Sequence, residues 1–279
     1  MSVIPGASVT LPSGVTMPRV GLGVFRAGAG EATRASVGAA LRAGYRHVDT
    51  AAIYRNEREV GEALRAWCDE TGGRRDEVFV TSKLWNDDQG YDEALRAYER
   101  SERALGVGPL DLFLLHWPVP ERRLDSWRAL ERLCAEGRCR AIGVSNFTAV
   151  HLEELLARSE RAPDVNQVEL HPFLAQRDLV DACRRRGVQT VAYSPLAKGR
   201  FLDDPALARV AQRRGASAAQ VMIRWCLDQG HVALPKSSNP ERIAANLAAA
   251  DLVLTPEDHA ELASCDRGAR TAWDPTAVP

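Results

Sequence analysis

Short apolar runs alternate with longer amphipathic segments along most of this chain. Between the runs, apolar side chains recur every three or four residues, the spacing of an amphipathic helix. Regular strand–helix alternation predicts a parallel sheet covered by helices. The eight predicted strands are Val20–Gly23, Tyr45–Asp49, Glu77–Lys83, Leu110–His116, Arg140–Ser145, Val165–Leu170, Val188–Tyr193 and Val232–Pro235.

Two architectures have such an alternation, a closed (β/α)8 barrel and an open, doubly wound sheet. Eight units at intervals of roughly 30 residues suit a barrel of about 250 residues, and the chain has 279. A dinucleotide-binding open sheet begins with G-x-G-x-x-G, but Arg26 and Thr33 stand where the third glycine belongs. Because no linker, repeat or low-complexity tract interrupts the pattern, the sequence predicts a (β/α)8 TIM barrel as a single domain, residues 1–279.

Segments outside the eight units have turn and cap signals of their own. Pro12-Ser13-Gly14 separates two short strand-like runs, which predicts a β-hairpin that plugs the amino-terminal opening of the barrel. Thr148 and Thr255 are expected helix N-caps, and Pro256 suits the first helical position. The last dozen residues look irregular and predict a short carboxyl-terminal loop.

Composition excludes several classes of function. The net charge is −1, so nothing favours binding to nucleic acid or to an anionic membrane surface. No apolar run approaches the roughly 20 residues of a membrane helix. The amino terminus lacks a basic start and a hydrophobic signal core, which predicts a cytoplasmic protein. Since no extra apolar helix suggests an obligate interface, a monomer is expected.

Cysteine and histidine spacing predicts neither disulfides nor a metal site. There is no C-x-x-C pair, no H-E-x-x-H and no Cys/His cluster, so reduced, buried thiols are expected and no metal is predicted. The six cysteines are Cys68, Cys134, Cys139, Cys183, Cys226 and Cys265.

Four polar groups stand at or just beyond the ends of three successive predicted strands. Asp49, Lys83 and His116 end strands two, three and four, and Tyr54 follows Asp49 by five residues. Each alone has an ordinary explanation as a helix cap, a solvated lysine or a core histidine. Because the carboxyl ends of barrel strands carry catalytic groups, their joint placement predicts one site.

Acid–base chemistry gives these four groups a shared purpose. A free phenol has a pKa of about 10, so it is a slow proton donor and acceptor at neutral pH. A nearby lysine ammonium is expected to lower the phenol pKa, an aspartate would keep that lysine charged, and a neutral histidine could hydrogen-bond a carbonyl oxygen. The set suits proton donation to an oxygen that becomes an alkoxide, with the hydride coming from a cofactor.

Three ordered motifs make the chain similar to aldo-keto reductases over essentially its whole length. They are GYRHVDTAAIYRNEREVG at Gly44–Gly61, RAIGVSNF at Arg140–Phe147 and LPKSSNPERIAAN at Leu234–Asn246. Within that family the chain most resembles the bacterial 2,5-diketo-D-gluconate reductase subgroup. The resemblance implies a (β/α)8 barrel that uses NADPH to reduce small aldehydes or ketones.

The resemblance also implies roles for the tetrad. Tyr54 would be the general acid, Lys83 and Asp49 would tune it, and His116 would position the carbonyl. The alternative is an NADPH-binding sensor or regulatory subunit on the same barrel, with little turnover.

Cofactor positions carry over from the family as well. The nicotinamide carboxamide would bind Ser145, Asn146 and Gln167, and the ring would stack on Tyr193. The pyrophosphate path would be lined by Ser194 and Leu196.

A cluster after the eighth strand indicates the cofactor type. Lys236, Ser237 and Arg242 combine cations with a hydroxyl, as a phosphate monoester requires, and the resemblance assigns them to the 2′-phosphate of NADPH. Asn246 would contact the adenine. Ala245 departs from the glutamate or glutamine of many relatives, so one polar adenine contact is in doubt.

The predicted substrate pocket is aromatic. Phe25, Trp85 and Trp117 match positions that line the family's pocket, with Phe25 where many relatives have tryptophan. An anionic or sugar-acid substrate is suggested by the composition of the tail, which contains Arg267, Arg270 and Trp273.

Overall fold

A computed structural model describes residues 8–28 and 30–278 of the chain. Two short strands precede a ring of eight, and the first seven residues, on which the export expectation partly depends, lie outside the described part. The strands are β1 (Ser8–Thr10), β2 (Thr16–Pro18), β3 (Leu22–Gly23), β4 (His47–Asp49), β5 (Phe79–Leu84), β6 (Leu110–Leu115), β7 (Cys139–Ser145), β8 (Val165–Glu169), β9 (Gln189–Tyr193) and β10 (Val232–Leu234).

The eight strands from β3 to β10 are parallel neighbours in chain order. Val20 pairs with Ala233 in a parallel bridge, and the Gly21 amide donates to the Ala233 carbonyl at 2.9 Å. These contacts join the first strand to the last and close the ring, so the predicted (β/α)8 barrel is confirmed and the open sheet is excluded. All eight predicted strands exist; β3 is shorter than predicted because Val20 contributes only an isolated bridge.

Helices cover the outside of this ring. One helix follows each strand from β3 to β8, two lie between β9 and β10, and two follow β10. Thr148 and Thr255 cap helices as predicted, and Pro256 occupies a first-turn position. The helices are α1 (Glu31–Ala43), α2 (Glu57–Thr71), α3 (Tyr91–Leu105), α4 (Arg123–Ala135), α5 (Ala149–Arg158), α6 (Arg177–Arg185), α7 (Pro205–Arg214), α8 (Ala218–Asp228), α9 (Pro240–Ala248) and α10 (Pro256–Ala263).

The β1–β2 hairpin closes one end of the barrel. Its turn and second strand place Leu11, Val15 and Met17 in one apolar cluster with side chains of the barrel bore, such as Phe79 at the start of β5. The Ser13 amide also donates to an Asp164 carboxylate oxygen at 2.7 Å. The predicted plug is therefore confirmed, and the carboxyl ends of the strands lie at the opposite end of the barrel.

None of the six cysteines forms a disulfide, as predicted. Four are buried, whereas Cys68 and Cys134 are half-buried, so the expectation of burial holds for four of them. In the part of the chain that the structure describes, no helix is long and apolar enough to cross a membrane. Within the same residues, no group of His, Cys, Asp and Glu could hold a metal ion.

Candidate active site at the carboxyl ends of the strands

The four predicted tetrad residues meet at the open end of the barrel. Asp49 ends β4, Lys83 is the penultimate residue of β5, and His116 directly follows β6. Tyr54 lies on a single turn of 3₁₀ helix just after β4. Since parallel strands end at the same edge of a sheet, this chain order brings the four side chains together.

Lys83 is the centre of the tetrad. Its side chain is 0% exposed, and Nζ donates to Asp49 Oδ1 at 2.6 Å, to the Thr50 carbonyl at 2.9 Å and to the Tyr54 hydroxyl at 3.5 Å. Burial lowers the Lys83 pKa, and the charge of Asp49 opposes that change. The carboxylate therefore keeps an ammonium in a dry site and points it toward the phenol oxygen.

Asp49 uses both carboxylate oxygens. Oδ1 accepts from Lys83, and Oδ2 accepts from Gln167 Nε2 at 2.8 Å. Gln167 belongs to β8, which stands four places from β4 in the ring of eight. This hydrogen bond therefore crosses the bore between opposite strands, and it fixes the carboxylate that orients Lys83.

The Tyr54 pKa differs in direction from the expectation. Burial of the phenol raises the Tyr54 pKa well above 10, and the negative charge of Asp49 adds to the rise. Lys83 does not reverse this, because its ammonium is 2.6 Å from Asp49 Oδ1 but 3.5 Å from the phenol oxygen, a long hydrogen bond. The expectation of a lowered pKa was wrong for this structure. The phenol is protonated, which is the form that a proton donor requires.

His116 is held neutral. Burial lowers its pKa well below 6.5, and the charge of Lys83 lowers it further. Nδ1 has no hydrogen-bond partner among the described residues, and the ring packs edge-on to Tyr54 at 5.8 Å and to Trp85 at 5.3 Å. A neutral imidazole beside the phenol can donate one hydrogen bond without adding charge to the site.

The predicted carboxamide ligands form one polar surface beside the tetrad. Ser145 Oγ donates to the Gln167 carbonyl at 2.8 Å, Asn146 Nδ2 donates to Ser145 Oγ at 3.1 Å, and the Tyr193 hydroxyl donates to Asn146 Oδ1 at 2.8 Å. Asn146 has a left-handed backbone with φ of 63°, a strained conformation that is common at functional sites. At the ends of β7, β8 and β9, these contacts form one polar surface, the shelf. It consists of Ser145, Asn146, Gln167 and the half-exposed ring of Tyr193.

The loop after β9 is also strained. Ser194, Ala197 and Lys198 have φ values of 47°, 48° and 54°, a region that residues other than glycine rarely adopt. Ser194 and Leu196 are half-buried next to the shelf. The loop therefore runs from the shelf toward the outside of the barrel mouth.

An exposed basic cluster lies at the start of α9. Lys236 Nζ donates to Ser238 Oγ at 2.9 Å, and Ser237 and Arg242 lie in the same turn region with Arg242 exposed to solvent. The first turn of a helix has free amides and a partial positive charge, so the cluster suits a phosphate. Asn246, one helical turn after Arg242, is only 5% exposed.

Aromatic side chains surround the tetrad. Phe25 is 46% exposed, with its ring 5.0 Å from that of Tyr54, and Trp85 packs on His116. Trp117 lies 6.0 Å from Trp273 of the tail. All three predicted aromatic residues are at the mouth, and the tail adds a fourth.

The two tail arginines are already paired with the protein's own groups. Arg267 lies over the Phe173 ring at 4.7 Å and pairs with Asp204 at 3.3 Å. Arg270 lies 3.9 Å from Glu169. These cations stabilise the tail, so the suggestion of an anionic substrate loses its support.

The chain is similar to known proteins over most of its length. The sequence profile described as "Aldo/keto reductase family" matches residues 19–267. This chain belongs to the aldo-keto reductase family. It is 46% identical over 268 residues to the glyoxal reductase of Bacillus subtilis, covering 96% of each chain. It is 46% identical over 269 residues to an aldo-keto reductase of Mycolicibacterium smegmatis, again covering 96% of each.

A solved aldo-keto reductase has the same fold with its cofactor bound. The Bombyx mori aldo-keto reductase in complex with NADP is 34% identical, with a TM-score of 0.88, and the match covers 95% of this chain and 94% of that one. These relatives do not test the 2,5-diketo-D-gluconate reductase subgroup, which stays a prediction.

Three residues at the mouth of this aldo-keto reductase were not predicted from the sequence. They are Glu169, Lys198 and Thr271, which hydrogen-bond one another across the loops. One signal was available for Glu169, because a charged residue inside a buried strand needs a partner. No local pattern indicates that Thr271 is that partner.

Proposed function

We propose that this aldo-keto reductase reduces aldehydes or ketones to alcohols with NADPH. The observation that carries the proposal is the buried Lys83, which bridges Asp49 and the protonated Tyr54 beside a neutral His116. An acid, a charged partner and a neutral hydrogen-bond donor meet at one point, as protonation of a carbonyl oxygen requires.

The described residues fit NADPH at both of its ends. Ser145, Asn146 and Gln167 present amide and hydroxyl groups for a carboxamide, and Tyr193 presents a half-exposed ring for stacking. NADPH, when bound, supplies the hydride that reduces the carbonyl carbon. Ser194 and Leu196 would lie along its pyrophosphate.

The α9 cluster fits the other end. Lys236, Ser237 and Arg242 would bind the 2′-phosphate, which favours NADPH over NADH. Asn246 would contact the adenine, although its low exposure leaves little surface for that contact. Ala245 provides no polar side chain there.

The tetrad would act through proton transfer and orientation. His116 donates a hydrogen bond to the carbonyl oxygen and fixes its direction. Tyr54 gives its proton to that oxygen as negative charge develops on it. Lys83 stabilises the tyrosinate that remains, and Asp49 keeps Lys83 charged.

We further propose a small carbonyl substrate, held against Phe25, Trp85 and Trp117. The two cations of the tail, Arg267 and Arg270, are paired with Asp204 and Glu169. Residues 1–279 would act as one domain and as a cytoplasmic monomer. The sensor alternative has no supporting observation, because the tetrad is complete.

The proposed reaction is tested by mixing the protein with NADPH and either methylglyoxal or 4-nitrobenzaldehyde. We expect the absorbance of reduced nicotinamide to fall only when protein and aldehyde are both present. Tight NADPH binding without turnover of any carbonyl in a panel of aldoses, keto acids, diketones and aromatic aldehydes would instead support the sensor.

The basic cluster gives a prediction about cofactor choice. Lys236→Met should raise the KM for NADPH about tenfold, since a charge-assisted contact is worth roughly 1.5–3 kcal/mol in a buried site and less when solvated. The KM for NADH should change by less than about twofold, because NADH lacks the 2′-phosphate. Lys236→Arg is the matched control and should keep most of the preference. Equal losses with both cofactors would contradict the assignment.

A further inference from the structure

The last residue of β8 is a buried carboxylate that the tetrad does not use. Glu169 is 0% exposed and lies two residues after Gln167, so the two side chains leave the strand on the same side. A buried carboxylate is costly unless hydrogen bonds compensate it. Its hydrogen-bond donors therefore show which part of the chain this carboxylate stabilises.

Most of those partners come from the tail. Glu169 Oε1 accepts from the Thr271 amide at 2.8 Å and from the Thr271 hydroxyl, and Oε2 accepts from the Ala272 amide at 3.0 Å. His171 contributes a further contact at 3.2 Å. Burial alone would raise the Glu169 pKa, but hydrogen bonds from His171 and Thr271 outweigh burial and hold it at about 2.

Lys198 holds the same tail residue from the other side. Its Nζ donates to the Thr271 carbonyl at 2.5 Å, from the strained loop after β9. The chain has 33 arginines but only three lysines. The other two are Lys83 in the tetrad and Lys236 in the phosphate cluster, so every lysine stands at the barrel mouth.

Hydrogen bonds join Glu169, Lys198 and Thr271 into one unit, the clasp. The amide, hydroxyl and carbonyl of Thr271 are all hydrogen-bonded within the clasp. Two residues later, Trp273 is 71% exposed and lies 6.0 Å from Trp117, the neighbour of His116. The clasp thus fixes the backbone from which Trp273 reaches over the mouth.

We propose that Glu169 and Lys198 are positioning residues that, through Thr271, hold Trp273 as the outer wall of the carbonyl pocket. The inference rests on the proposed function and extends it to substrate choice. A bulky aromatic carbonyl touches this wall and depends on the clasp. A three-carbon dicarbonyl fits beside the tetrad without touching this wall, so its binding does not depend on the clasp.

The first test compares two aldehydes in Lys198→Met, which removes the ammonium and keeps the length of the side chain. The KM for 4-nitrobenzaldehyde should rise about tenfold with kcat changed less than about threefold. With methylglyoxal, kcat/KM should stay within about twofold of the unmodified enzyme. Trp273→Ala should reproduce this pattern. An equal change for both aldehydes, or no change for either, overturns the proposal.

Two control variants isolate the contact with Thr271. Lys198→Arg keeps a donor and should restore most of the affinity for 4-nitrobenzaldehyde. Arg200→Met removes a cation from the same loop but touches no part of the clasp, and should behave like the unmodified enzyme. If Arg200→Met matches Lys198→Met, loop charge and not the clasp is responsible, and the proposal fails.

A second test needs no turnover. Amide hydrogen exchange in the peptide 266–274 should be slow in the unmodified protein, because Glu169 accepts from the Thr271 and Ala272 amides. In Glu169→Gln and Lys198→Met it should accelerate about tenfold or more, while peptides of β5 and β6 stay protected. Fast exchange in the unmodified protein overturns the clasp even if the enzyme is active. Slow exchange without aldehyde turnover instead leaves the clasp standing and refutes the proposed function.

Discussion

Tyr54→Phe is expected to lower kcat for aldehyde reduction by about 10³-fold, within the range that one positioned acid contributes. The variant loses only the hydroxyl, so the ring still packs on Phe25 at 5.0 Å and on His116 at 5.8 Å. The pocket therefore keeps its shape while the carbonyl oxygen loses its proton donor. The measurement is single-turnover oxidation of NADPH with 4-nitrobenzaldehyde, beside fluorescence titration of NADPH.

The Kd for NADPH should change by less than about threefold in this variant, because the hydroxyl is proposed to act on the substrate oxygen. Tyr91→Phe is the matched control; it removes a hydroxyl that contacts Arg132 on the outside of the barrel and should leave kcat unchanged. Turnover of Tyr54→Phe close to that of the unmodified enzyme would rule out Tyr54 as the general acid.

Lys83→Met is expected to lower both activity and stability. It leaves the Asp49 carboxylate buried without its cation, and breaking a buried pair in this way costs about 3–5 kcal/mol. The tyrosinate also loses its stabilising charge, so kcat should fall by about 10²-fold or more. Urea unfolding monitored by circular dichroism gives the free energy of unfolding, and NADPH oxidation gives kcat.

A double variant separates the two effects of Lys83→Met. Adding Asp49→Asn removes the unpaired charge and keeps an oxygen that can accept from Gln167, so most of the lost stability should return. Activity should not return, since no ammonium faces the phenol. If the double variant is as unstable as Lys83→Met, the cost arises from packing and not from the buried charge. If it regains activity, the proposed role of Lys83 is wrong.

The sequence predicted the barrel and the tetrad because both depend on local pattern. Apolar runs define the strands, and Asp49, Lys83 and His116 stand at or next to strand ends, where barrel topology must gather them. The hairpin and the caps at Thr148 and Thr255 follow from equally local signals. Such features can be predicted from neighbouring residues in the sequence and from the number of strand–helix units.

Features that depend on distances between far parts of the chain were not predictable. The raised Tyr54 pKa depends first on burial of the phenol and then on the charge of Asp49, with Lys83 nearer to Asp49 than to the phenol, and no spacing along the chain reveals this arrangement. Likewise, Glu169 and Thr271 are 102 residues apart. Their contact exists because the tail docks on the mouth, which is decided by tertiary packing.

The hydrogen bond from Gln167 to Asp49 has a consequence for the timing of the reaction. It joins opposite strands across the bore, and below it the bore is filled by apolar side chains and closed by Leu11, Val15 and Met17. Tyr54 is half-buried at the opposite end of the barrel, so water reaches its phenol from that end. Under the proposed mechanism the phenol regains its proton at the opening through which the alcohol leaves, so release of the alcohol precedes delivery of the next proton.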